Sequence, residues 1–274
     1  MLRNNQEVVT RVLTIFLYMN NERFRIGCTY ISKTTPEDSI QKILQAVEGN
    51  KTTYICVSNP RTVTIASKDK EYQRIMNDSF MNLPDAEPMV WAARLWGLKD
   101  VQRTMGPLLF KRMITESQNS LKHFLLGDTQ ETLDSVLEVT RTKNLNIVGV
   151  LSPPFSDLDD YDYKYYADRI NESKADIVWL ALRAPKQDFF AVKLLPYLDK
   201  KVCIGVGAAF RFFIGEYKLA PLIIRKFGLM GLYWGKKNQK YIPFIVGYLK
   251  DNVPFIYYLL KIPFWRLSGR KYYE

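Results

Sequence analysis

The chain has 274 residues, 47% of them apolar, which is enough for one large domain with a real core and argues against disorder. Its formal net charge is +11, and residues 216–274 hold eleven Lys/Arg against three acids, so eight of those charges sit in the last fifth of the chain. Such a block suits an anionic partner: phosphate, nucleic acid or an acidic membrane surface. Cys28, Cys56 and Cys203 are odd in number, far apart and each in an apolar run, so they read as reduced, mostly buried thiols and exclude a disulfide scaffold. No secretory pattern opens the chain, and the apolar stretch 12–19 is too short to span a bilayer. A soluble or peripheral protein of the cytoplasm is expected.

Strand-like and helix-like segments alternate, the pattern of a parallel α/β sheet. Residues 25–31 read as a strand. Thr35 caps a helix that has Pro36 at its first position, acids in its first turn and its end near Gly49. Residues 53–57 read as a buried strand, and Ser67 is expected to cap a helix to about Asn77. Helices follow at 86–96, 107–121, 129–143, about 160–172 and 185–198, and strands at 123–126, 146–151, 176–182 and 202–206. The fold expected is Rossmann-like, a mostly parallel sheet with helices on both faces, over residues 1–215.

Residues 216–274 are set apart as a basic, aromatic C-terminal appendage. Residues 220–228 look helical. Beyond them Gly231, Gly235 and Gly247 alternate with Pro243, Pro254 and Pro263, and fourteen of the 59 residues are aromatic. The runs 241–249 and 253–260 are too short and too Pro-punctuated to span a membrane, so they are expected to lie along its interface, with a subunit contact in a homo-oligomer as the alternative use.

Candidate site residues fall at strand-to-helix junctions, where open α/β sheets bind ligands. Pro84 pushes Leu83 toward extended backbone and places Asp85 where a strand ends and a helix begins. There a carboxylate either caps the helix or faces a ligand. Asn59 follows a strand and precedes a proline, a turn opener whose amide could hydrogen-bond sugar hydroxyls. Gly127 and Asp128 end a strand ahead of a capped helix, able to bring backbone N–H groups to a phosphate or base. Arg183, Pro185, Lys186 and Gln187 open another helix, placing a point charge and a two-way hydrogen bonder at its positive end.

These segments, in this order, resemble the signatures of the WecG/TagA/CpsF glycosyltransferases. Asn59-Pro60 is similar to that family's "TxNpe", with Val57 in place of the Thr. Pro84-Asp85-Ala86 matches "PDG" apart from Ala86, and Gln102-Arg103-Thr104-Met105-Gly106 matches "eRvxG". Gly127-Asp128 stands for "Gg", and Pro185-Lys186-Gln187-Asp188 for "PkQE". Gly205 to Phe210 matches "GvGaaF", with Arg211 where the family has Asp. Leu219-Ala220-Pro221 stands for "rAP", with Leu219 in place of the arginine. The resemblance covers about residues 24–260 and thins beyond Pro221.

What the resemblance implies is an inverting transfer of a sugar from a UDP-sugar to a polyprenyl-diphosphate-linked acceptor in envelope polysaccharide synthesis, without a cofactor or metal. In that reading Asp85 is the base, and Arg103 holds the donor sugar with Asn59 and Gln187 as orienting hydrogen bonders. Gly127 and Asp128 serve the nucleoside end, and Arg183, Pro185, Lys186, Gly207 and Phe210 complete the donor site. Lys236, Lys237 and Lys240 substitute, as point charges, for tail arginines that hold the diphosphate. The Thr lost at Val57, the Gly replaced by Ala86 and the missing tail arginines favour a rival reading, a non-catalytic partner in the same pathway, and the retained Asp85 and Arg103 oppose it; Arg211 and Leu219 are further altered motif positions.

Other chemistries have less support. Asp157, Asp159, Asp160 and Asp162 give D-x-D spacings but sit at a helix start among tyrosines, where a solvated first turn is expected. His123 inside a strand builds no Zn site with three scattered cysteines, and no nucleophile elbow is present. The C-terminal mixture of cations and aromatics carries no RNA-binding signature, so no nucleic-acid partner is expected.

Overall fold

The computed structural model describes residues 22–116, 120–227, 233 and 241–273. Its centre is a six-stranded, wholly parallel sheet in the order β4-β3-β8-β7-β5-β6, built from β3 (Thr53–Ser58), β4 (Met81–Pro84), β5 (His123–Gly127), β6 (Ile147–Leu151), β7 (Ile177–Ala181) and β8 (Val202–Gly205). These strands lie between two helix layers, so they read as continuous apolar runs whose alternate residues enter different cores. On one face Ile55, Val57, Leu125, Trp179 and Ile204 pack on α1 (Pro36–Glu48), α5 (Gly106–Glu116), α6 (Gln130–Thr142) and α9 (Ala209–Phe213). On the other, Tyr54, Cys56, Phe124, Leu126, Val178 and Cys203 pack on α3 (Lys70–Asp78), α7 (Tyr163–Glu172) and α8 (Lys186–Leu194).

The expected strand 25–31 is instead an antiparallel hairpin, β1 (Arg23–Ile26) and β2 (Thr29–Ser32), because Gly27 adopts a φ of 61° and turns the chain. Ser67 does not open a helix. It closes a short helix that the sequence reading missed, α2 (Pro60–Ala66), and Asp69 caps α3 through hydrogen bonds from the N–H groups of Glu71 and Tyr72. The helix α4 (Glu87–Leu95) follows β4. Strands β5, β6 and β7 and helices α1, α6 and α8 lie within a few residues of their expected bounds.

Beyond α9 come α10 (Leu222–Lys226) and α11 (Tyr241–Leu267). The segments read as separate Pro-punctuated runs are one helix of 27 residues that continues through Pro254 and Pro263. Each interior proline removes a backbone hydrogen bond, and packing offsets that loss. Phe255 and Ile262 are fully buried in a third cluster with Phe24, Ile26, Val63, Met89 and Trp96. Trp265 stacks on Trp96 at 6.3 Å, and Arg266 donates to the carbonyl of Leu95. Among the described residues, no helix is long and apolar enough to cross a membrane.

Candidate active site

All the junctions singled out in the sequence lie at the carboxyl ends of the parallel strands, and they line two adjoining clefts. The larger, of about 600 Å³, runs over the ends of β4, β3, β8 and β7 and is lined by Asp85, Asn59, Met105, Arg183, Gln187 and Gly207, with Arg61 and Tyr217 at its walls. The smaller, of about 430 Å³, lies over β7, β5 and β6 and is lined by Asp128, Phe155, Tyr161, Lys186 and Arg211. Arg183, Gly207 and Ala208 border both.

Asp85 is held as the last link of β4. Its N–H donates to the carbonyl of Ser58 at 2.8 Å, and Thr104 N–H donates to the carbonyl of Pro84 at 2.8 Å, so backbone from both sides fixes the position. The carboxylate does not cap α4, whose N-cap is Ala86 without a side-chain hydrogen bond. Instead Oδ1 accepts the Gly106 N–H at 3.0 Å, while Oδ2 has no hydrogen-bond partner among the described residues. Burial raises the Asp85 pKa above its ordinary value, opposed by the Gly106 hydrogen bond and the charge of Arg103. A carboxylate with one free oxygen, a raised pKa and a cleft in front of it can accept a proton.

Asn59 is partly committed to the fold: its Oδ1 caps α2 by accepting the Thr62 N–H at 3.2 Å. Its Nδ2 makes no hydrogen bond among the described residues, leaving one donor for the cleft. Gln187 is buried, and its Oε1 accepts the Gly207 N–H at 2.9 Å, so it fastens the loop after β8. Gly205 leaves room for this side chain, since a Cβ on it would lie 2.7 Å from Gln187 Nε2 and the amide would have to shift. Lys186 donates to the carbonyl of Ser156 and lies 4.7 Å from the ring centre of Phe155, which is fully exposed at the rim of the smaller cleft.

Two departures from the family motifs meet. Gly127, at a φ of 117°, lets the end of β5 press on Ala181, where a Cβ would lie 2.7 Å from the carbonyl oxygen. Asp128 then adopts a φ of 58° and reaches across the end of β7 to Arg211, whose NH2 and Nε lie 2.6 and 3.0 Å from its Oδ1 and Oδ2. This two-point pair, extended by Glu216 at 2.7 Å, holds the Arg211 pKa up. Arg211 escaped the sequence reading as a site residue, although its charge is the complement of Asp128 and both stand at motif positions.

The structure brings Asp85, Asn59, Arg183, Gln187 and Gly207 together in the larger cleft and Asp128 and Lys186 in the smaller. It does not bring Phe210 there. That ring is fully buried against Phe110, 5.1 Å between centroids. Pro185 lines neither cleft and precedes α8. Arg103 is half-buried beside the larger cleft, with its guanidinium on the sulfur of Met105, which lines it. Lys236, Lys237 and Lys240 lie outside the described residues. Of the acidic residues at 157–162, Asp162 caps α7 and Asp159 pairs with Lys193, and no group of three or more potential metal ligands occurs among the described residues. His123 is fully buried and accepts from Trp179 Nε1 at 3.1 Å, and burial lowers its pKa to about 4.

The model of the WecG/TagA/CpsF glycosyl transferase family matches residues 24–268 of this sequence. The chain belongs to that family. As a glycosyltransferase it has relatives that set out the chemistry more narrowly. It is 28% identical, over 68% of its length and 72% of the relative's, to an N-acetylglucosaminyldiphosphoundecaprenol N-acetyl-beta-D-mannosaminyltransferase of Bacillus spizizenii. To an enzyme of the same name from Staphylococcus aureus strain MW2 it is 26% identical, over 80% of its own chain and 87% of the other. The matched span of the family model includes both clefts and reaches the end of α11.

Proposed function

We propose that this transferase moves an N-acetylhexosaminyl group from a UDP-sugar to a hydroxyl of N-acetylglucosamine carried on undecaprenyl diphosphate, with inversion. The relatives' names support the acceptor, and the Asp85 geometry supports the chemistry. Asp85 takes the proton of the acceptor hydroxyl as its oxygen attacks the anomeric carbon. The bond from that carbon to the donor phosphate breaks, and its electron pair leaves on UDP. The donor lies along the two clefts: the sugar by Asp85, Asn59 and Gly207, the nucleoside toward Asp128 and Phe155. Arg103 beside Asp85, with Arg61 and Arg183 lining the same cleft, offsets the leaving charge, so the reaction is taken to need no metal.

The observation that carries this reading is the Asp85 carboxylate, fixed at the mouth of the larger cleft by one N–H and free at its other oxygen. Asp85→Asn keeps that hydrogen bond and removes the base. With UDP-N-acetylmannosamine, a short-chain lipid-linked N-acetylglucosamine and EDTA in the assay, the parent turns over, and the variant loses roughly a hundredfold to ten-thousandfold in kcat while UDP binding is kept. A variant with near-parental kcat removes Asp85 as the base, and a parent inactive in EDTA removes metal independence.

We also infer that the enzyme works as a peripheral protein at the cytoplasmic membrane face, where a lipid-linked acceptor resides. The support is the outer side of α11, where Leu249, Val253, Ile256, Leu260, Phe264 and Leu267 are exposed in one helical stripe.

A further inference from the structure

Asp128 and Arg211 line the smaller cleft together, and both oxygens of the Asp128 carboxylate are engaged within the protein. Its Oδ1 accepts from the Thr129 N–H at 2.8 Å and from Arg211 NH2 at 2.6 Å, and its Oδ2 accepts from Arg211 Nε at 3.0 Å. What the pair has left over is donors. An arginine carries five N–H bonds in one plane. In Arg211 the Nε–H and one N–H of NH2 go to Asp128, and one N–H of NH1 goes to Glu216 at 2.7 Å. One N–H on each terminal nitrogen has no acceptor among the described residues, on a side chain 23% exposed at the cleft wall.

Asp128 and Glu216 together more than offset the charge of Arg211, so this group is no sink for anions: a phosphate drawn to it would also approach two carboxylates. Its remaining use is directional, since two coplanar N–H groups suit an uncharged oxygen acceptor. The rest of the cleft suits a flat ring. Phe155 is fully exposed at the rim, and open aromatic faces of this kind are where nucleobases stack. The volume of about 430 Å³ is in the range of small-molecule sites. A donor-only edge also tells bases apart. Arginine pairs with ring carbonyls, whereas an exocyclic amine at the same place sets donor against donor.

We propose that Arg211 reads the base of the nucleotide donor, favouring a pyrimidine with a carbonyl at C4 over one with an amine there, and that Asp128 and Glu216 are the residues that position it. This rests on the transferase reading above and goes beyond it by naming the residue that selects the nucleotide. It also gives two altered motif positions one function. The acid at 128 and the cation at 211 are a matched pair, and the Arg211 departure from the family motif is a specificity device.

The test is calorimetric titration of the full chain and of Arg211→Gln with UDP and with CDP. The two nucleotides share ribose and diphosphate, so the ratio of their affinities reports the base alone, which a merely structural role for Arg211 would leave unchanged. The parent is expected to bind UDP about tenfold to a hundredfold more tightly than CDP. Arg211→Gln, whose amide both donates and accepts, should lose most of that factor for UDP and bring the ratio close to one. If Arg211→Gln melts well below the parent, Asp128→Asn combined with Arg211→Gln, which removes the charge from both partners, supplies the ratio instead. A parental ratio in the folded variant, or a parent that binds UDP and CDP equally, overturns base reading by Arg211 while leaving the transferase reading intact. A parent that binds neither nucleotide overturns both.

Discussion

At the level of single residues, two carboxylates show how position rather than residue type sets the chemistry. Asp85 and Asp188 both have pKa values raised by burial, yet only Asp85 opens on a cleft. Asp188 lies in the first turn of α8, on its buried side, where its Oδ2 accepts from Tyr72 at 2.8 Å, and its pKa is raised from 3.8 to about 7. The folded chain therefore keeps a proton on Asp188 at pH values where the unfolded chain has lost it. Stability falls as pH rises from about 4 to about 7, by at most ~1.4 kcal/mol per pH unit, and the penalty then stays constant. Asp188→Asn removes this term, so the variant should gain on the parent between pH 4.5 and 7.5 in urea unfolding. Parallel stability curves would mean that Asp188 ionises in the fold as it does in water. The pairing of Asp128 with Arg211 belongs at this scale as well. Each was visible in the sequence as a departure from a motif, but they are 83 positions apart, and only the strand order β8-β7-β5 shows that they face each other.

At the level of elements, legibility followed the kind of signal each one carries. The strands of the parallel sheet are buried on both faces, so their apolar runs stood out, and α1 announced itself through Thr35, Pro36 and two acids in its first turn. The short helix α2 has seven residues with three β-branched Thr/Val and one Ile among them, which reads as extended chain. It forms because Asn59 and Thr62 cap each other reciprocally and its Val63 is buried beneath α11. The helix α11 was hidden by Pro254 and Pro263, since local rules end helices at proline and only tertiary packing overrides them. Phe255 is the residue that supplies much of this packing. Phe255→Ala should therefore cost about 3–5 kcal/mol of stability. Thermal and denaturant unfolding of the variant give the value, and a loss below about 1 kcal/mol would mean that α11 is not seated on the hairpin and α2 in solution.

At the level of the whole molecule, α11 has one side committed to the fold and the other to its surroundings. Phe255 and Ile262 face inward, and Leu249, Val253, Ile256, Leu260, Phe264 and Leu267 face out, a stripe about 27 Å long at 1.5 Å per residue. Its flanks carry Lys250, Arg266, Arg270 and Lys271, all exposed, within a segment whose eleven cations exceed its acids by eight. Each such cation near an anionic leaflet contributes roughly 1 kcal/mol, falling off within a Debye length, and the apolar stripe adds burial in the headgroup region. Removing residues 216–274 would test docking poorly, because it would also strip Phe255 and Ile262 from the third core cluster. Ile256→Glu with Leu260→Glu changes only the outer side. The full chain should float with anionic liposomes, float less with neutral ones and lose binding in high salt, whereas the double variant should stay in the dense fraction with its melting temperature and UDP binding unchanged. Flotation of the double variant equal to the parent's would assign docking to another surface of the protein, and sedimentation velocity would then show whether the stripe seats a second copy of this chain.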